Sequence, residues 1–243
     1  MSVAAIVAVS VVVAAAATVT TLAGFGFSLM AVPLLAVVVG ARDAVAVASL
    51  LGLLSTAALA VRCRASVDWG IVCRQLGTAV LGMPLGLVVV LVLSDRALRM
   101  AIATAVLVAT ALIARGFRLA GPSTGVDLGA GFVSGVLNTS VGTSGPPVVL
   151  ANQAHGLAPT TFRGTLSAFF AGSAIVLNPL FYVTGRYTTE VLVAAAVGLP
   201  AVGVGWLVGL RLHHRVSPAR FRRVVLALLV LSATLAAASA LTG

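Results

Sequence analysis

Leu128-Gly-Ala-Gly-Phe-Val-Ser-Gly-Val-Leu-Asn138-Thr139-Ser140-Val-Gly142-Thr143-Ser144-Gly145-Pro146-Pro147-Val-Val-Leu-Ala-Asn-Gln-Ala154 carries no charge from end to end. Its flanks suit a bilayer, whose hydrocarbon takes about 20 apolar residues as a helix. Its middle does not suit a regular helix. From Asn138 to Pro147 every residue except Val141 is Gly, Pro, Ser, Thr or Asn. Two consecutive prolines remove backbone donors and disfavour helical geometry at Gly145 and Pro146. Irregular backbone at membrane depth persists only where protein buries it or where it lines a cavity. The sequence therefore predicts a broken helix with a purpose. The half that restarts at Pro147 offers the positive end of its dipole, and the loop before it offers the N–H groups of Thr143, Ser144 and Gly145. Hydroxyls of Thr139, Ser140, Thr143 and Ser144 add donors, and the set favours an anion without a cation in the membrane. An isolated Ser or Thr in such a place usually bonds back to its own helix; the whole run is what points to a site.

The rest of the chain repeats the membrane signal. Of 243 residues, 60% are hydrophobic and 8% charged, against roughly a quarter charged in soluble domains. No charge precedes Arg42, and further uncharged windows cover Ala44–Val61, Gln75–Ser94, Met100–Ala114, Gly164–Gly185, Val191–Leu210 and Val224–Gly243. Continuous apolar runs rich in Ala and Leu exclude barrel strands, which alternate. The reading is an all-α membrane protein of the inner or plasma membrane, with about eight transmembrane segments, two of them broken; seven or nine also fit. The stretch before Arg42 lacks the charged leader and short core of a cleavable signal. Loops are too short to fold as domains, so function sits in the bilayer.

The net charge is +10, and every one of the 15 cations is Arg. They lie between apolar spans, so nucleic acid is not an expected partner. Alternate loops divide them into Arg42, Arg96, Arg99, Arg163 and the Arg211–Arg223 group against Arg62, Arg64, Arg74, Arg115, Arg118 and Arg186. By the positive-inside rule the first set is cytoplasmic and both termini are outside.

The chain reads as duplicated: residues 1–120, a linker at 121–125 and residues 126–243. Gly82-Met-Pro-Leu-Gly86 with Ser94-Asp-Arg-Ala-Leu-Arg99 recurs 123 residues later as Gly205-Trp-Leu-Val-Gly209 with Ser217-Pro-Ala-Arg-Phe-Arg222. Gly-x-x-x-Gly lets helix backbones approach closely in lipid. Upstream, Gly24-Phe-Gly26-Phe-Ser28 leading to Pro33 stands where Gly142–Pro147 stands in the second half, so each half opens with a broken helix. Such paired Gly/Pro-interrupted segments point to a transporter's binding site. Four crossings per half make the repeat parallel; three, with each broken segment turning back, make it inverted.

Other polar residues carry less. Arg163 is near enough in sequence to reach the broken segment, against a plain interfacial role. Asn152 and Gln153 either face the same cavity or end a helix. Asn178-Pro179 is read as a packing kink, against a hinge or a cavity contact, and His155 as interfacial. His213 and His214 fall in an Arg-rich loop. Cys63 and Cys73 flank one loop and are read as free thiols, against a pair if that loop is periplasmic. The acids Asp43, Asp68, Asp95, Asp127 and Glu190 all lie near span ends, which argues against a cation pump or a proton carrier with a buried carboxylate. Metal-ligand clusters, phosphate loops and nucleophile–base sets are lacking, so neither metal, cofactor nor enzymatic activity is expected.

Gly24-Phe-Gly-Phe-Ser-Leu-Met-Ala-Val-Pro33, Gly131-Phe-Val-Ser-Gly through Gly142-Thr-Ser-Gly-Pro-Pro147, and Phe162-Arg163-Gly-Thr-Leu together resemble the sulfite exporter TauE/SafE family of permeases. Phe27 and Ser28 stand where the family pattern often has further glycines. The resemblance implies movement of small sulfur-containing anions such as sulfite or sulfonates. The expectation is a secondary transporter of a small anion working by alternating access between the halves. Its substrate would bind at Gly24, Gly26, Ser28, Asn138, Thr139, Ser140, Gly142, Thr143, Ser144, Gly145 and Arg163, with helix breaks at Pro33, Pro146 and Pro147. A non-transporting membrane subunit or assembly factor is the alternative.

Overall fold

A computed structural model describes residues 1–115 and 121–212, with isolated positions at 227, 230 and 234. Among them every regular element is helical: α1 (Val3–Ala23), α2 (Phe27–Val39), α3 (Ala41–Arg62), a 3-10 turn (Arg64–Ser66), α4 (Trp69–Val92), α5 (Asp95–Ala114), α6 (Thr124–Ser140), α7 (Gly145–Ala154), α8 (Pro159–Val183) and α9 (Thr189–Leu212). Five of these, α1, α3, α4, α8 and α9, are long and apolar enough to cross a membrane. Helix α5 opens on Asp95 and carries Arg96 and Arg99, and α6 has 17 residues. The window Val224–Gly243, the turn Ser217–Arg222, Arg118, His213 and His214 lie outside the described residues.

Local chemistry sets the helix ends. Asp68 caps α4 by accepting from Ile71 N at 3.1 Å, and Ser123 caps α6 by accepting from Val126 N, also at 3.1 Å. Such caps stabilise a helix by about 1 kcal/mol. Gly24 closes α1 in the left-handed region, φ 84°, its N–H donating to Thr20 O.

Both expected breaks exist, but they are narrow: only 24–26 and 141–144 leave the helices. Ser28, Asn138, Thr139 and Ser140 are helical. Thr139 and Ser140 donate back to Gly135 O and Val136 O, so α6 continues past them until Gly142 turns at φ 68°. The prolines do not make the breaks. Pro33 lies inside α2, which runs through it. Pro146 and Pro147 sit in the first turn of α7, where a missing N–H costs nothing. Glycine, by adopting positive φ, turns the chain; proline only starts the next helix.

Each broken segment turns back. His155, which follows α7, stands 2.9 Å from Asp127 in the first turn of α6, so α6 and α7 form a hairpin that ends where it began. The first segment follows by packing. Helix α3 is antiparallel to α8, with Cys63 against Gly164 and Ser49 bonded to Asn178. Helix α1 is parallel to α9, with Val13 beside Gly198 and Thr21 beside Gly209. Helix α2 opposes α3, joined at Gly40 while Phe27 reaches Gly52. With α9 opposing α8, α1 shares the direction of α3, and α1–α2 is a second hairpin.

The hairpins re-sort the arginines. Arg62, Arg64, Arg74, Arg115, Arg163 and Arg211 gather at one end of the bundle, Arg42, Arg96, Arg99 and Arg186 at the other. Counting alternate loops placed Arg163 and Arg211 with Arg42. That grouping fails because a segment that turns back does not change ends.

Two helix pairs repeat one contact pattern. On α4, Gly82 meets Phe132 O, and Gly86 meets Val136 O and Thr139 Cβ; on α9, Gly205 meets Ala14 O, and Gly209 meets Thr18 O and Thr21 Cβ. Donor glycines differ by 123 residues and their targets by 118. A Cβ at Gly82, Gly86 or Gly205 would run into backbone, and one at Gly209 into the Thr21 side chain.

Candidate functional site

The two breaks meet at a cavity. Its volume is about 50 Å³, room for a few waters or one small oxyanion. Thr20, Phe25, Gly26 and Ser28 line it from the first hairpin, and Asn138, Thr143, Ser144 and Gly145 from the second. Ser49, Gly52 and Thr56 of α3 and Phe170 of α8 complete the wall. None of the lining residues is charged.

Helix α2 begins at Phe27 and α7 at Gly145, so two helix N-termini open on one space. Each end leaves backbone donors without intrahelical partners and carries about half a positive charge. Thr143 is 1% exposed, and its buried hydroxyl has no hydrogen-bond partner. Leaving such a group unsatisfied costs about 1–3 kcal/mol, and an oxygen atom in the cavity would satisfy it. The loop is braced: Ser134 donates to Ser144 O at 2.7 Å, and Asn138 donates to Ser173 Oγ at 2.9 Å. The backbone N–H of Thr143 is directed to Leu137 O at 3.3 Å. Of the three amides expected to face a ligand, those of Ser144 and Gly145 remain.

A profile described as sulfite exporter TauE/SafE matches residues 9–235. The chain belongs to this family. A Cupriavidus necator protein named "Probable sulfite/organosulfonate exporter TauE" is 30% identical over 101 residues. That stretch is 42% of this chain and 40% of the relative, so the chain spans well under half the length of that curated protein. No solved structure matches. Both breaks and the whole cavity lie within the TauE/SafE region, in a multi-pass membrane protein.

Other expected site residues sit elsewhere in this TauE/SafE chain. Gly24 faces the start of α8, where a Cβ would come within 2.9 Å of Arg163 Cα. Gly142 packs on Val32 and Val45. Thr139 and Ser140 are buried with their hydroxyls turned to α6. Arg163 does not line the cavity; its guanidinium donates to Thr21 O in the last turn of α1, at the negative end of that helix. Ser167 adds a contact to Gly24 O. Thr20, Ser49 and Thr56 escaped the sequence reading, because a single hydroxyl within an apolar run gives no signal. Thr20 and Thr56 bond back to Ala16 O and Gly52 O.

Two polar clusters flank the cavity. At the Arg42 end, Asn178 Oδ1 accepts from Ser49 at 2.7 Å and from Tyr187 at 2.6 Å. Burial pushes the Tyr187 phenol up to about 12. Burial, and then the charge of Arg42, lowers Arg186 from its ordinary value, with Asp43 opposing. At the Arg74 end, Asp127 is fully buried, and Arg74 binds it at 2.9 Å, His155 at 2.9 Å and Gln75 at 3.4 Å. Asn152 donates to Gln75 at 3.4 Å and does not reach the cavity. Asp127 is near a span end, as expected from sequence, yet no part of it meets solvent. Cys63 and Cys73 are free thiols.

Proposed function

We propose that this TauE/SafE protein carries a small sulfur-containing oxyanion or organosulfonate across the plasma membrane by alternating access, holding it between the two hairpins. The observation that carries the reading is the buried, partnerless hydroxyl of Thr143 in a cavity onto which two helix N-termini open. Neutral donors suffice for a monoanion. A hydrogen bond to a charged group contributes roughly 1.5–3 kcal/mol, so three or four hold a partly dehydrated oxyanion. A carrier must also release its cargo, and a site without a fixed cation releases an anion readily.

The two halves are read as an inverted repeat. Helix α1 starts at the Arg42 end and α6 at the Arg74 end, and the paired contacts on α4 and α9 support the correspondence. Rocking of one half against the other then opens the cavity to each side in turn. The arginine-rich Arg74 end is assigned to the cytoplasm.

The test is flux and binding of sulfite and methanesulfonate with purified protein in proteoliposomes. Thr143→Val should weaken binding about tenfold, equivalent to 1.4 kcal/mol, with folding intact. Absence of flux for both anions, or unchanged affinity in Thr143→Val, refutes the reading.

A further inference from the structure

Buried ionisable groups in a membrane protein call for an explanation beyond packing, because each is costly to place there. Asp127, fully buried, is held between Arg74 of α4 and His155 at the end of α7. The corresponding position on the first hairpin, 118 residues earlier, is Val9, buried and apolar. The buried carboxylate is present at one hairpin alone.

His155 distinguishes this cluster from a fixed ion pair. Arg74 already balances Asp127, and His155 carries charge only when protonated. Its side chain is 16% exposed, whereas that of Asp127 is fully enclosed. A proton there converts its contact with Asp127 into an ion pair and places a cation at the C-terminal end of α7, where the helix dipole favours one. The N-terminus of that same ten-residue helix forms part of the anion cavity. The other ionisable groups nearby are engaged elsewhere: Arg163 on α8 bonds Thr21 O, and Asp68 caps α4. The remaining neighbours, Gln75 and Asn152, are neutral, and Asn152 Oδ1 is buried without a partner.

We infer that Asp127 and His155 form a proton-binding site that couples protonation to anion binding, by fixing the α6–α7 hairpin in the position that presents Thr143 and the α7 N-terminus. This rests on the reading of the cavity given above. Anion and proton together are neutral, which lowers the cost of carrying the anion through the bilayer. The two sites share one rigid helix, and coupling through it is reciprocal.

Methanesulfonate is the suitable probe, since its charge does not change over the range examined, whereas sulfite titrates. Its affinity for the purified full chain is measured from about pH 8 to about pH 5.5. The wild type should gain roughly fivefold to tenfold in affinity on acidification. His155→Gln should hold the weaker affinity throughout, and His155→Arg, permanently charged, the tighter one. These substitutions spare Asp127 and Arg74, whose pairing the fold needs. A wild type without pH dependence, or a His155→Gln variant that keeps it, overturns the proton site alone. No methanesulfonate binding at any pH overturns the cavity reading and this inference with it.

Discussion

The α1–α2 and α6–α7 hairpins solve one problem with different means. Each turns at a glycine of positive φ, Gly24 or Gly142, and each restarts its helix three residues later, at Phe27 or Gly145. Each packs its long arm on a Gly-x-x-x-Gly helix. They differ in where they are held. The first has an apolar arm, with Val9, Val13, Ala16 and Ala17 buried, and polar restraint at its tip from Arg163 and Ser167. The second is tied internally by Ser134, to α8 by Asn138, and at its base by Arg74, Asp127 and His155. Shared backbone geometry builds the cavity; unshared side chains decide how each hairpin is fixed to the bundle. The first hairpin is therefore tied at its tip to α8, the second to both α4 and α8.

The strongest test of this equivalence uses the two helix contacts. A side chain at Gly135 would enter the backbone of Ala79, and one at Gly205 the carbonyl of Ala14. Gly135→Val and Gly205→Val should each abolish recovery of monodisperse protein, since overpacking costs about 1–3 kcal/mol even where flexible side chains can yield, and more against backbone. Normal recovery of either variant by gel filtration would show that its interface is not the close approach described.

Anchoring at the base is tested by Asp127→Ala. Removing one partner of a buried pair costs about 3–5 kcal/mol. Because the Arg74 side chain is 37% exposed, about 2–3 kcal/mol is the expected loss, read as a lowered Tm in detergent. An unchanged Tm would remove the contrast between the hairpins.

Restraint at the tip is tested by Arg163→Gln. Losing a charged donor from the end of α1 should cost about 1–2 kcal/mol of stability. Methanesulfonate affinity should stay within about threefold. Loss of binding with unchanged stability would place Arg163 in the anion site and make α8 its charged wall.

The sequence by itself determined the solvent and the breaks. Charge-free windows of bilayer length admit only helices in lipid, and a run such as Asn138–Pro147 cannot continue one; both signals are local. The family was also legible, because its motifs are contiguous. Tertiary structure decided what depends on direction and distance. Whether a broken segment crosses or returns is invisible locally, yet it moved Arg163 and Arg211 to the opposite end from Arg42. Thr139 and Thr143 are four residues apart, but α6 takes one hydroxyl for its own carbonyl and the turn at Gly142 delivers the other to the cavity. Asp127 read as a span-end acid until α4 and α7 closed over it, since burial is a property of neighbours that come from distant parts of the chain.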